Sequence, residues 1–297
     1  DELNGISFGG VGRSTIVENL QVYSTFDDGI EMFGGAVNFS NFVALYARDD
    51  SIDIDEGWIG SIDNALVIQS ATDGNHCIEA DGIGSYNESE AAKNADFIAR
   101  GLNSRPTISN LTCIISPNLN GTHGEGAGWR FREGIWPVVN DSLLISSFAA
   151  NDATDSDDNY CLRIDNPETQ DAAANGDLQL NSVIFACQEN AKGNAIGAFA
   201  SEQAWAEDAG NQFATVADGT AADATAANDA DLQLLEGVLK VHSISWATSV
   251  VDGAAPIATT TPTAGSILGG VDLANSWIAG WTYGIEDTNR AQPLWFE

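Results

Sequence analysis

A segment near the N-terminus recurs with a 22-residue offset, and this repeat restricts the fold more than any other feature of the chain. Asn19-Leu20-Gln21-Val22 precedes Asp27-Asp28-Gly29-Ile30-Glu31-Met32-Phe33, and Asn41-Phe42-Val43-Ala44 precedes Asp49-Asp50-Ser51-Ile52-Asp53-Ile54-Asp55. A third copy, Asn64-Ala65-Leu66-Val67 and then Cys77-Ile78-Glu79-Ala80-Asp81, starts 23 residues later. A period this short, filled with alternating strand pattern, reads as the coil of a solenoid.

Aligning the copies separates the positions by chemistry. Val17, Phe39 and Ile62 form one apolar column; Leu20, Phe42 and Ala65 a second; Val22, Ala44 and Val67 a third. Ile30, Ile52 and Ile78 form a fourth, and Met32, Ile54 and Ala80 a fifth. Between the last two lie Glu31, Asp53 and Glu79. Residues two apart on a strand share a face, so each coil offers two short strands with inward apolar side chains and an outward acidic column. The Asn column (Asn19, Asn41, Asn64) sits where a corner needs a left-handed residue, and it predicts a stacked Asn ladder inside that corner. The pattern resumes at Asn110, Asn140 and Asn181, and Leu232–Leu239 echoes Leu178–Ile184. The expected fold is all-β: a right-handed parallel β-helix of about six to seven coils over residues 1–250. Insertions are expected near 84–106, 117–128, 149–176 and 200–230, with short helical pieces in the first and around Glu202–Glu207. Residues 251–297 read as a connector and an aromatic capping or contact segment over the last coil.

Charge narrows the partners. The chain carries 43 acidic against 11 basic residues, a net charge of −32. This repels nucleic acid and anionic membranes, and no apolar run is long enough to span a bilayer. The balance suits a salt-adapted, secreted or cell-surface protein. Without an initiator Met, the opening at Asp1 reads as a mature, trimmed or partial chain. Of the four cysteines, Cys113 aligns with an inward column and Cys77 lies beside the acidic one; these two are not expected to meet, and Cys161–Cys187 is the favoured pair.

The segments Asp27–Gly35, Val37-Asn38, Asp49–Asp53 and Gly57-Trp58-Ile59-Gly60, with Arg105–Asn110 and Asn289–Phe296, resemble a family of secreted bacterial proteins from marine and environmental genomes, often described as lipoproteins. That family is similar in pattern to pectate-lyase-like right-handed parallel β-helices. The resemblance implies the fold, secretion and further coils ahead of Asp1. It carries over no catalytic residue.

Two kinds of chemistry remain. Asp28, Glu31, Asp50, Asp53, Glu79 and Asp81 fall on neighbouring coils and form the candidate metal set, with Ca²⁺ the expected ion because it takes oxygen ligands from carboxylates. The competing expectation is a solvated acidic face, with Arg130 and Arg163 extending the column as ion pairs. The second candidate is a sugar cleft lined by Arg130 and Arg132 near Trp129 and Trp136, although Trp129 and Phe131 align with inward positions. His76, His123 and His242 match no metal motif, and no compact acid–base–nucleophile motif is present. The functional expectation is therefore an extracellular structural or adhesive module that binds a glycan, or copies of itself head-to-tail in a filament. The alternative is a calcium-dependent polysaccharide lyase or glycoside hydrolase.

Overall fold

The structure is a computed structural model and describes residues 3–70, 73–116, 123–124, 126–146, 160–186, 191–214, 234–235, 238–239, 277–278 and 280–283. Two parallel sheets face each other along the axis of a β-helix. The first contains β1 (Ile6–Gly9), β3 (Ile30–Phe33), β5 (Ile52–Asp55), β7 (His76–Asp81), β9 (Ala127–Arg132) and β12 (Leu162–Ile164) in that order. The second runs β2 (Ile16–Tyr23), β4 (Asn38–Leu45), β6 (Ser61–Ile68), β8 (Thr107–Ile115), β11 (Leu143–Ser146), β14 (Ile184–Ala186) and β15 (Gln212–Ala214). Two short strands, β10 (Val138–Asn140) and β13 (Gln179–Asn181), continue the first half of β8 into later coils.

Register follows the repeat residue by residue. Ile30, Ile52, Ile78, Trp129 and Leu162 stack in one column, as do Met32, Ile54, Ala80, Phe131 and Ile164. From the second sheet, Val22, Ala44, Val67, Cys113, Leu144 and Phe185 face them. These side chains are almost wholly buried, and each large one contributes about 1.5–3 kcal/mol relative to exposure. Trp129 and Phe131 thus belong to the core.

Asn19, Asn41, Asn64 and Asn110 all take positive φ, between 55° and 59°. Asn41 Nδ2 donates to Asn19 Oδ1 (3.0 Å) and Asn64 Nδ2 to Asn41 Oδ1 (3.3 Å). The ladder is partly exposed rather than inside the corner. In the next two coils the left-handed residue is Asp141 and then Ser182, because Asn140 pairs with Ser109, one position earlier. Asn181 nevertheless still donates to Asn140 (3.0 Å).

The expectation that Cys77 and Cys113 do not meet is overturned: they are bonded to each other. The cause is a break in alternation at the corner before each first-sheet strand. A Cβ on Gly29 would lie 3.1 Å from Val22 Cγ2, so this corner position points inward at the Val22 column. Ser51 and Cys77 occupy the same position one and two coils later, and Cys113 is in the Val22 column. Cys77 and Ile78 therefore both face inward, and the acidic alternation begins only after them. Cys161 is also disulfide-bonded, while Cys187 lies outside the described residues.

The second sheet is buried on both faces. Val43, Leu66 and Thr112 point away from the interior, as do Leu45, Ile68 and Ile114, and all are buried. On the first strand of this sheet, β2, the C-terminal segment packs against the same outward face. Tyr283 N–H donates to Gln21 Oε1 (2.7 Å), Gln21 Nε2 donates back to the Tyr283 carbonyl (2.8 Å), and the Tyr283 ring packs edge-on against Tyr23. This part of the segment lies on the first coil, not over the last. The echo at Leu232–Leu239 is also not a coil: β16 (Leu234–Leu235) and β17 (Val238–Leu239) pair antiparallel.

Among the described residues, three α-helices decorate the solenoid. The insertion after β7 forms a 3-10 turn at Glu88–Glu90 and then α1 (Ala91–Ala99). Within the insertion expected near 149–176, α2 (Pro167–Asn175) forms, with Pro at its start and a left-handed Gly176 ending it. Helix α3 is Glu202–Asp208, capped by Ser201. No helix among the described residues is long and apolar enough to cross a membrane.

Candidate functional site

The outer face of the first sheet carries the acidic column. Glu31, Asp53, Glu79, Arg130 and Arg163 stand in register on β3, β5, β7, β9 and β12. A second column runs Phe33, Asp55, Asp81, Arg132. Asp28 and Asp50 stack at the corner before the strands, where Asp50 N–H donates to Asp28 Oδ1 (3.0 Å) and His76 N–H donates to Asp50 Oδ1 (2.7 Å). The face therefore changes sign along the axis, acidic on the early coils and basic on the later ones.

The six expected metal residues fall into two groups. Oxygens of Asp28, Asp50 and Asp53 lie within 4.8 Å of one another, and so do those of Glu31, Asp53 and Asp55. Asp53 belongs to both sets and takes no hydrogen bond or ion pair from the described residues. Glu79 and Asp81 are instead engaged by arginine. Arg130 Nη1 is 2.8 Å from Glu79 Oε1, Arg132 Nη2 is 3.0 Å from Glu79 Oε2, and Arg132 grips Asp81 through Nη2 (2.9 Å) and Nε. The other end of the ladder gathers Asp28, Asp50, Asp53 and Glu31, with Asp53 shared by both carboxylate groups, an arrangement suited to a hard cation.

Electrostatics set Glu79 apart from the other carboxylates, since burial raises even Asp81 despite its bond to Arg132. Burial, then Asp50 and Asp49, pushes Asp28 up to about 9. Burial, then the charges of Glu79 and Asp49, holds Asp50 well above the usual carboxylate value; burial, then Asp50 and Asp28, does the same for Asp53. Burial and Asp81 lift Asp55 to about 7. At Glu79, burial disfavours the charge, but His76, Arg132 and Arg130 outweigh it and hold the group below its ordinary value. Burial drops His76 to about 4, so it is neutral at neutral pH and the guanidinium groups carry that effect.

Two histidines that matched no motif join this face. His76 Nδ1 lies 2.8 Å from Asp50 Oδ1, and His123 Nδ1 lies 2.9 Å from Asp49 Oδ2. Because they come from an irregular position and a loop, only the coil register brings them to the carboxylates. His242 lies outside the described residues.

Beyond Glu79 the ladder runs into a walled cavity of about 690 Å³. Its floor is Arg130, Arg132 and Arg163 with Glu133 and Asp165. One wall is Tyr86, Asn87 and Glu88 from the insertion ahead of α1; the other is Asn166, Pro167 and Gln170 at the start of α2. Hydrogen bonds tie the walls together: Tyr86 Oη donates to Glu168 Oε2 (2.8 Å), Asn94 Nδ2 to Glu168 Oε1 (3.1 Å), and Asn166 Nδ2 to Glu88 Oε1 (2.8 Å). The floor is a lattice of ion pairs in which Asp165 Oδ2 lies 2.5 Å from Arg163 Nε and 3.3 Å from Arg130 Nε. Burial and Asp81 raise Glu133 to about 7. Neither expected tryptophan lines the cavity: Trp129 is in the core, and Trp136 lies under the Arg105 guanidinium at 4.0 Å.

A sequence profile described as a pectate-lyase like beta helix domain matches residues 1–282. The chain belongs to that family. No curated protein and no solved structure matches it. The outer face of the first sheet is divided between a carboxylate cluster and a charge-paired cavity; the sequence pointed to the first and, in the second, to Arg130 and Arg132 but not to the tryptophans or to the walls. Tyr86, Glu133 and Asp165 carried no local signal, because two insertions far apart in sequence build the cavity.

Proposed function

We propose that this pectate-lyase-like β-helix is an extracellular adhesive module that holds a glycan in the walled cavity beside Arg130 and Arg163. The cavity itself carries the reading. It has the volume of a small-molecule site and walls from two insertions, and its forked guanidinium and carboxylate groups suit a hydroxyl-rich ligand. Tyr86 and Pro167 supply the apolar surface on which a sugar ring can rest. The acidic end of the ladder supports the cavity by taking up Ca²⁺ through Asp28, Asp50, Asp53 and Glu31, which relieves repulsion between stacked carboxylates. Self-assembly through the C-terminal segment is not part of the proposal, because Tyr283 is engaged on β2 of its own chain.

The test is retention on immobilised polysaccharides. Wild type is expected to be retained, and Tyr86→Ala and Arg163→Ala are each expected to lose about tenfold in affinity while still folding with a cooperative melt. Retention unchanged in both variants would place the glycan elsewhere or nowhere.

A further inference from the structure

The cavity contains three arginines, yet it is not an anion site. Each guanidinium already faces a carboxylate of the protein. Arg130 is 2.8 Å from Glu79, Arg132 is 3.0 Å from Glu79 and also grips Asp81, and Arg163 is 2.5 Å from Asp165. Asp165 is further fixed by Asn194 Nδ2 at 3.3 Å. The lining adds Glu88 and Glu133, so the acids at and just behind the floor outnumber the three guanidinium groups. A uronate entering here could reach only the guanidinium N–H groups left over, beside protein carboxylates that repel it, and would do so against a chain charge of −32. A hydroxyl pays neither cost. It can donate to a carboxylate oxygen and accept from a guanidinium N–H without breaking the pair.

We infer that the cavity selects neutral, hydroxyl-rich saccharides and rejects uronic-acid chains, with Asp165 as the residue that sets this preference. The inference rests on the cavity being the glycan site and goes beyond it to the class of sugar. Asp165 acts through charge: its carboxylate accepts from Arg130 Nε at 3.3 Å and lies against Arg163 Nε as an ion pair, offsetting the positive charge that a sugar carboxylate would otherwise meet.

The experiment compares a panel of neutral oligosaccharides (gluco-, galacto-, manno- and xylo-configured) with oligogalacturonate of matched length, by calorimetry on the full chain. Wild type is expected to bind at least one neutral oligosaccharide and not oligogalacturonate, with little dependence on salt. Asp165→Asn keeps the shape, removes the carboxylate beside Arg163 Nε and Arg130 Nε while Arg130 stays on Glu79, and is expected to gain about tenfold in affinity for oligogalacturonate, lost again at high salt. Glu133→Gln removes one negative charge without freeing an arginine and is expected to gain much less. Salt-sensitive wild-type binding of oligogalacturonate above all neutral sugars would overturn the selectivity and leave the cavity as the glycan site. Binding of neither class would overturn the cavity reading along with it. Should Asp165→Asn fail to fold, Arg163→Gln decides. It removes the guanidinium next to Asp165 and is expected to weaken the neutral ligand; stronger oligogalacturonate binding by that variant would contradict the inference.

Discussion

Replacing Asp53 with Asn should stabilise the protein when cations are withheld. Asp53 has no hydrogen-bond donor or counter-ion among the described residues, and its oxygens lie within 4.8 Å of carboxylate oxygens in two separate groups. At that distance and an effective dielectric of about 20, each ionised neighbour repels Asp53 by about 3 kcal/mol. The cluster lowers this cost by holding protons, with Asp28 raised to about 9, and Asp53 is partly exposed, so a net gain of about 1–3 kcal/mol is expected. The pH dependence has a definite sign. Carboxyls with raised folded-state values contribute full stability below the unfolded value and lose it as pH rises through the folded value. In chelator, therefore, wild type should lose stability progressively from about pH 4 to about pH 9. Thermal melts in chelator should place Asp53→Asn several degrees above wild type at about pH 8 and level with it at about pH 4. Added Ca²⁺ should raise the wild type and raise the variant less. A variant less stable than wild type at about pH 8 in chelator, or equally stabilised at about pH 4, would refute the repulsion argument.

Other perturbations probe the remaining parts. Ile52→Asp places an unpaired carboxylate in a fully buried column and should abolish folding, read as loss of the cooperative melt; a stable, folded variant would remove Ile52 from the core. Cys113→Ala opens a cross-link spanning 36 residues and should cost about 4 kcal/mol in urea denaturation; an unchanged midpoint would show that the bridge adds nothing. Glu133 titrates near 7, so saccharide binding that uses its protonated form should weaken between about pH 6 and about pH 8, and Glu133→Gln should flatten that profile; an equally steep profile in the variant would assign the titration to another group.

The sequence showed some of these features and hid others for physical reasons. The inward columns were legible because one substitution rule, apolar at alternate positions, holds from Ile30 through Ile52 and Ile78 to Trp129. The Glu31–Asp53–Glu79 column was legible for the same reason, and so was its continuation into Arg130 and Arg163. The outer apolar columns were overlooked although their signal was present. Phe42-Val43-Ala44-Leu45 and Ala65-Leu66-Val67-Ile68 are continuous apolar runs, the mark of a parallel strand covered on both faces. Cys77 was misplaced because alternation was extended one residue too far, through a corner where Gly29 and Ser51 already showed small side chains. Of the cavity, Arg130 and Arg132 were legible, but its walls were beyond reach because they meet only through contacts such as Tyr86–Glu168, separated by 82 residues and set by the coil stack rather than by any local pattern.

The most direct measurement is a crystal structure of the chain soaked with the neutral oligosaccharide that binds it. The account predicts sugar density between Tyr86 and Asn166, with hydroxyls on the Arg163–Asp165 and Arg130–Glu79 pairs and those pairs unbroken. Density confined to another surface, or a sugar that separates Asp165 from Arg163, would contradict it.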